Sequence, residues 1–235
     1  TLNGSQKYPS TALFFNLMYQ TYNTFMNALT APLFTTYPVA SLSEEQLLKY
    51  ADFYTDSCLH PLILEKESIF REEAWRYRLE NPEDELTIEG TVYSEMLAGV
   101  NLDSSAYRNM LRTAFPGSMI GNESGGDPAD IPEMTWDALK AYHETYYHPS
   151  NCIAYLYGQF EHYEAFLALL NEAFSSYEKR EFTFEDPDYT PLTAPVETSF
   201  PFQVEAGSDT NNRSTIYYAF VCPGLKDDTN EELIM

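Results

Sequence analysis

Apolar residues recur along the chain at two spacings, and the switching between them predicts an order of helices and strands. Leu13, Phe14, Leu17 and Met18 fall at helical spacing behind Ser10 and Thr11, which can cap a helix, and the stripe runs on towards Tyr22. Thr24 to Ala28 and Phe34 to Val39 are rich in Thr and aromatics, and predict strands on either side of an Ala31-Pro32 turn. Ser43 followed three positions later by Gln46 is a capping-box pattern. It opens a helix through Leu47, Tyr50, Ala51, Tyr54 and Cys58, which Pro61 ends. A second amphipathic helix is expected from Glu65 to Glu80, closed by the turn-like Asn81-Pro82-Glu83-Asp84.

The segment from Leu86 to Gly99 carries the most chemistry. On a helix, Ile88, Val92, Glu95, Met96 and Gly99 share one face, which puts the Glu95 carboxylate on the apolar side. An ion there is costly unless it is paired or bound to a metal. Leu86, Ile88, Val92 and Met96 also fit a strand; helix is the reading adopted.

Further on, Ser104 to Phe115 predicts a helix, followed by a Gly-, Ser- and Asp-rich loop that includes Gly117, Gly121 and Ser124 to Pro128. Thr135 caps a helix with Trp136, Leu139 and Tyr142, and His148-Pro149 terminates it. Cys152 to Tyr157 reads as a strand, and His162 to Tyr177 as a helix with Phe166, Leu169, Leu170 and Ala173 inward. Residues 179–198 hold Pro187, Pro191 and Pro195 among acidic residues with no apolar period, which predicts a linker. Two more strands are expected around Phe200 to Glu205 and Ser214 to Val221, before a helix that begins near Asp228. The order is α+β: helices packed on a mostly antiparallel sheet over 1–178, the linker, and a second unit starting at 199–235.

Composition narrows the partners. The 235 residues hold 13 Lys+Arg against 36 Asp+Glu, a net charge of −23, with 44% hydrophobic and 15% aromatic residues. Those are globular values rather than those of an acidic disordered tail. A polyanion is repelled by phosphate backbones and anionic lipid, so neither nucleic acid nor membrane is an expected partner, whereas a basic peptide is compatible. Cys58, Cys152 and Cys222 are odd in number and far apart, which suits neither a disulfide framework nor a cysteine zinc site. A reducing, cytoplasmic setting is the default expectation. The start at Thr1 and the helix opening near Met235 read as internal ends of a longer chain.

Most candidate motifs reduce to structure. His143 and His148 are five apart, so on a helix they diverge by about 140° and cannot form a two-histidine zinc pair. His60, before Pro61, is expected at a helix end near its negative dipole. Ser124-Gly125-Gly126-Asp127 lacks the nucleophile elbow and the phosphate-loop lysine. No D-x-D-x-D-G calcium loop is present. Asn3, Asn122 and Asn212 sit in glycosylation-acceptor triplets too short to carry weight. Glu72-Glu73 and the run Glu83 to Glu85 are expected on solvated faces, and Trp75 as a core anchor.

Several stretches, taken in order, resemble the presequence-protease and falcilysin-like branch of the insulinase/pitrilysin family of inverted-motif zinc peptidases. They are Gly4-Ser5-Gln6-Lys7-Tyr8-Pro9, Thr24 to Ala31, Tyr37-Pro38, Trp75-Arg76 and Gly90 to Met96. Ser124 to Pro128, Ile131 to Trp136 and Tyr147 to Asn151 complete the series. The resemblance runs over about residues 1–160 and continues more weakly through 214–221.

The resemblance implies a LuxS/MPP-like metallohydrolase domain over 1–178 and the beginning of a second one at 199–235. It implies a Zn²⁺ site built from two histidines of an H-x-x-E-H helix and a distal Glu, with the motif Glu activating the bound water. Glu95 matches the distal ligand, and Asn27 and Ala28 match the edge strand that pairs with the peptide backbone. The H-x-x-E-H motif would lie just upstream of Gly4 and is absent from these residues, as is the second half that completes the substrate site. Pro32-Leu33 departs from the family's more polar pair. The expectation is therefore a piece of a zinc metalloendopeptidase for short unfolded peptides, itself inactive and without tight zinc. The alternative is a non-catalytic relative acting as a peptide-binding or scaffolding subunit, with Glu95 salt-bridged to Arg71 or Arg76.

Overall fold

The computed structural model describes residues 2–20, 23–183, 192–202, 204 and 206–221. Two compact units divide the chain: Thr1–Leu97 with Gly125–Phe184, and Ala98–Ser124 with Glu185–Met235.

The first unit opens with α1 (Leu13–Gln20) and a hairpin of four short strands, β1 (Asn23–Met26), β2 (Leu29–Thr30), β3 (Thr35–Thr36) and β4 (Val39–Ser41). β1 pairs antiparallel with β4, Phe25 opposite Ala40 and Met26 opposite Val39; β2 pairs with β3, Leu29 opposite Thr36. The Ala31 N–H closes the tip on the Phe34 carbonyl at 2.8 Å, so the expected turn at Ala31-Pro32 is present. α2 (Glu44–Leu59) starts where Ser43 accepts a hydrogen bond from the Gln46 N–H and stops at His60, before Pro61. Met26, Phe53 and Tyr54 are buried together under Leu13, Phe14, Leu17 and Met18 of α1. The helical stripe read from the sequence is thus the one that packs the hairpin and α2.

A second core gathers Leu62, Ile63, Ile69, Phe70 and Ala74, with Trp75, Trp136 and Leu139 against it. Here the expected boundaries move. The helix read over 65–80 ends at Glu73 as α3 (Glu67–Glu73), and β5 (Arg76–Arg78) follows. The helix read over 86–99 resolves into β6 (Thr87–Glu89) and α4 (Thr91–Ala98), with buried Gly90 at the joint. β5 and β6 pair antiparallel, Arg76 opposite Glu89 and Tyr77 opposite Ile88. Pairing of two three-residue strands, with Arg76 and Arg78 both on Glu89, outweighs the helical propensity of each segment.

α5 (Leu102–Ala114) comes next in the chain and lies in the second unit. It carries a full capping box, with the Asn101 side chain accepting from the Ser104 N–H and the Ser104 side chain from the Asn101 N–H. In that unit Arg112 Nε donates to the Gly121 carbonyl at 3.0 Å, Arg108 pairs with Glu123, and Tyr107 lies against Tyr217. The strands expected around 200–205 and 214–221 are not formed by the described residues there, and the helix expected from Asp228 falls outside the described residues.

Back in the first unit, α6 (Trp136–Tyr146) is capped by Thr135 and ended by His148-Pro149, as the sequence predicts. The strand expected at Cys152 to Tyr157 is not assigned: the segment is exposed, with Ile153 at 93% and Tyr155 at 84%. α7 (Tyr163–Phe174) buries Phe166. Among the described residues the fold is mixed α+β, with seven helices and three small two-stranded antiparallel sheets. No described helix is long and apolar enough to cross a membrane.

Candidate functional site

Glu95 lies in the second turn of α4, and the position of α4 is set by the residue just before it. At Gly90 a Cβ would stand 2.2 Å from the Ala74 carbonyl oxygen and 2.8 Å from Trp75 Cα, so only glycine lets β6 pass this close to the end of α3. The Tyr93 N–H then points to the Ala74 carbonyl at 3.4 Å. Because Ile88 belongs to β6, the apolar stripe expected on one helix is broken, and α4 has no buried residue. Glu95 is exposed rather than turned into an apolar face. Neither guanidinium considered as its partner is available: Arg71 pairs with Glu67 at 2.9 Å and Arg76 with Glu89 at 2.9 Å.

A different carboxylate is the half-buried one. Glu73, the last residue of α3, accepts from Asn3 Nδ2 at 2.6 Å. Burial is the largest influence on its carboxyl and pushes its pKa up, only partly offset by hydrogen bonding. The sequence reading placed Glu73 with Glu72 on a solvated face; Glu72 is exposed and Glu73 is not. The signal was present, since Glu73 lies three and four residues after Phe70 and Ile69, both buried.

The segment after Asn3 is fastened to the end of α2. The Leu62 N–H donates to the Gly4 carbonyl, the Gln6 N–H to the His60 carbonyl, both at 3.0 Å, and the Lys7 N–H to Asp56 Oδ2 at 2.9 Å. Ser5 is fully buried there. His60 Nδ1 donates to Asp56 at 3.1 Å and its Nε2 takes the Tyr177 hydroxyl at 3.2 Å, which fits the helix-end role expected of it.

Asn27 and Ala28 sit between β1 and β2. The Asn27 N–H donates to the Pro38 carbonyl at 3.1 Å, and its own carbonyl accepts from the Tyr54 hydroxyl at 2.8 Å. The Ala28 N–H is held by the Asn27 side chain at 2.8 Å. Asn27 is therefore committed to the hairpin and α2 through both backbone groups. Around it the hairpin exposes Phe25, Leu29, Leu33 and Phe34.

His143 and His148 are structural. His143 is buried, stacks on Tyr147 and donates from Nε2 to the Cys58 carbonyl at 2.8 Å; burial lowers its pKa. His148 caps the turn at 149–151, its Nδ1 accepting from the Ser150 N–H at 3.1 Å. His148 lies beyond the end of α6, so the two imidazoles are not carried on one helix. Burial raises the Cys58 thiol to about 12, which leaves it unreactive at neutral pH. Trp75 anchors the core edge through Nε1 to the Met134 carbonyl at 2.9 Å.

The donor set gives a plain answer about metal. No group of three or more His, Cys, Asp or Glu able to hold an ion exists among the described residues. One exposed carboxylate on α4 does not make a tetrahedral zinc centre, so these residues alone do not fit a resident Zn²⁺.

The family model described as Peptidase M16 inactive domain matches residues 133–234. Protein HypA of Clostridium perfringens (strain 13 / Type A) is 37% identical over 228 residues, which cover 96% of this chain and 23% of that protein. The mitochondrial presequence protease of Mus musculus is 32% identical over 235 residues, covering 96% of this chain and 22% of that protein. The mitochondrial presequence protease of Schizosaccharomyces pombe is 38% identical over 186 residues, covering 77% and 18%. The chain spans less than a quarter of the length of these relatives.

Proposed function

Since the chain belongs to the insulinase/pitrilysin family of peptidases, M16, we propose that it forms part of a zinc-dependent metalloendopeptidase acting on short unfolded peptides. In this reading Glu95 is the distal metal ligand, and the two histidines and the general base are supplied from outside these 235 residues. The hairpin around Asn27 and Ala28 lies along the peptide. Because both backbone groups of Asn27 and the Ala28 N–H are already bonded, the Ala28 carbonyl and the outer edge of β1 are what remain for pairing with it. The net charge of −23 favours basic peptides.

The observation that carries the reading is the state of Glu95. It is exposed on a helix whose start is sterically fixed, and the two arginines that could have neutralised it are bonded elsewhere. The test uses the natural full-length protein: about one zinc per chain by metal analysis, with peptide cleavage abolished by a chelator and by Glu95→Gln. Zinc content and cleavage unaffected by Glu95→Gln would remove Glu95 from the site. The matched model's description as an inactive domain favours a second reading, a non-catalytic peptide-binding or scaffolding role. That reading expects peptide binding indifferent to the chelator.

A further inference from the structure

We infer that Met96 is a positioning residue: its thioether seats on the backbone of Gly125 and so fixes the turn of α4 that carries Glu95 against a loop with no chemistry of its own. What Glu95 does rests on the function proposed above; the seat does not.

A Cβ on Gly125 would stand 2.2 Å from Met96 Sδ, 3.0 Å from its Cε and 3.2 Å from its Cγ, so the sulfur fills the space in which any other side chain would begin. Gly125 has no left-handed φ, and space rather than conformation is what demands glycine there; Gly126 beside it, at φ +95°, is the residue that turns the chain. Tyr93 and Met96 are the two half-buried residues of α4, three apart and hence on one face. The Tyr93 N–H points to the Ala74 carbonyl at 3.4 Å, and Met96 makes the corresponding contact one turn further on. Glu95, about 100° around the helix from Met96, is left exposed while its neighbour is held. An unbranched, polarizable thioether suits a seat on bare backbone.

The loop is in turn bonded to the second core. The Asp130 and Ile131 N–H groups both donate to the Asp127 carbonyl, at 2.9 and 3.0 Å, and the Ala129 N–H donates to Asp127 Oδ1 at 3.1 Å. Ile131 is 3% exposed and lies against Gly126, where a Cβ would stand 3.0 Å from its Cγ1. The Met134 carbonyl accepts from Trp75 Nε1 at 2.9 Å, and Trp136 Nε1 donates to the Ile63 carbonyl at 2.7 Å. Contacts thus run without a break from Ile63 and Trp75 through 131–136 and the turn at 127–131 to Gly125 and Met96. Three stretches singled out separately in the sequence, Gly90 to Met96, the loop from Gly125 and Ile131 to Trp136, meet in this one arrangement.

The experiment is a double-mutant cycle in the natural full-length protein: Met96→Ala, Gly125→Ala and the two together, with Met96→Leu as the conservative variant. Two readouts are followed: hydrogen exchange of the backbone amides at 93–97, and chelator-sensitive cleavage of a lysine-rich unfolded peptide. Met96→Ala is expected to speed exchange at 93–97 by about tenfold, although Ala is the better helix former, and to leave α2 and α6 amides unchanged. It should also lower kcat by about tenfold at unchanged KM. Gly125→Ala expels the Met96 side chain from its seat and gives the same two changes. With Met96 already truncated the added methyl meets open space, so the double variant stays at about tenfold rather than reaching about a hundredfold. Met96→Leu, close in volume, keeps both readouts near those of the parent. If Gly125→Ala does not fold, the contrast between Met96→Ala and Met96→Leu still decides. Unchanged exchange in Met96→Ala, multiplying effects in the double variant, or equal loss in Met96→Leu and Met96→Ala overturns the inference. Faster exchange with unchanged kcat overturns the positioning role. Exchange that shifts as expected in a protein with no chelator-sensitive cleavage upholds the seat and refutes the peptidase reading.

Discussion

Gly90→Ala is the sharpest test of how this structure places α4. The added methyl would sit 2.2 Å from the Ala74 carbonyl oxygen, 2.7 Å from its carbonyl carbon and 2.8 Å from Trp75 Cα. That is roughly 1 Å inside van der Waals contact at the oxygen, and all three atoms are backbone, so no side chain can swing aside. Relief has to come from separating β6 from the end of α3. Overpacking of this kind costs ~1–3 kcal/mol. Replacing Gly by Ala also narrows the unfolded ensemble, which returns ~0.4–1 kcal/mol, too little to reverse the sign. Taking the middle of each range, the net expectation is a loss of about 1.3 kcal/mol and a midpoint lowered by roughly 3–5 °C. Both tryptophans of the chain, Trp75 and Trp136, lie in the first unit, so their emission during urea titration reports that unit without interference from the second. A Gly90→Ala variant as stable as the parent protein would refute the argument, because it would mean that the approach of α4 to Ala74 is not close.

Two further outcomes follow from burial. Phe70 is fully buried at the centre of the second core, and Phe70→Ala is expected to cost ~3–5 kcal/mol, read from the same tryptophan titration; a loss below ~1 kcal/mol would mean that the site is not packed. His143 has a folded pKa lowered by burial, so the unfolded chain binds the extra proton first. Its contribution to stability is therefore complete above the unfolded value of about 6.5 and declines as pH falls below it. The fall in urea midpoint between neutral and mildly acid buffer should shrink in His143→Gln; Glu73, shifted the opposite way, gains stability on acidification and does not account for a fall. An unchanged slope in His143→Gln would show that the imidazole is not buried neutral.

Legibility in the sequence followed the range of the interactions. Caps and breakers act within four residues, and so Ser43, Thr135, Pro61 and Pro149 marked helix ends that the structure keeps. The α1 stripe and the hairpin about Ala31-Pro32 were readable for the same reason. The failures sit where partners are distant. Arg76 to Arg78 had enough helical character to extend α3, and only pairing with Thr87 to Glu89 makes them a strand. Cys152 to Tyr157 has the composition of a strand, but without a neighbour to bond it remains an exposed segment among the described residues.

The candidate site divides the same way. Motif order pointed to Glu95 and to the family, and the relatives agree on the family. By itself the sequence determined the α+β class and most helix starts, which depend on spacing and residue type. Tertiary structure alone decided that Glu95 is exposed while Glu73 is half-buried. Which carboxylate is desolvated depends on what packs over it, and Asn3, which bonds Glu73, lies 70 residues away in sequence. No periodicity within α3 or α4 encodes that meeting.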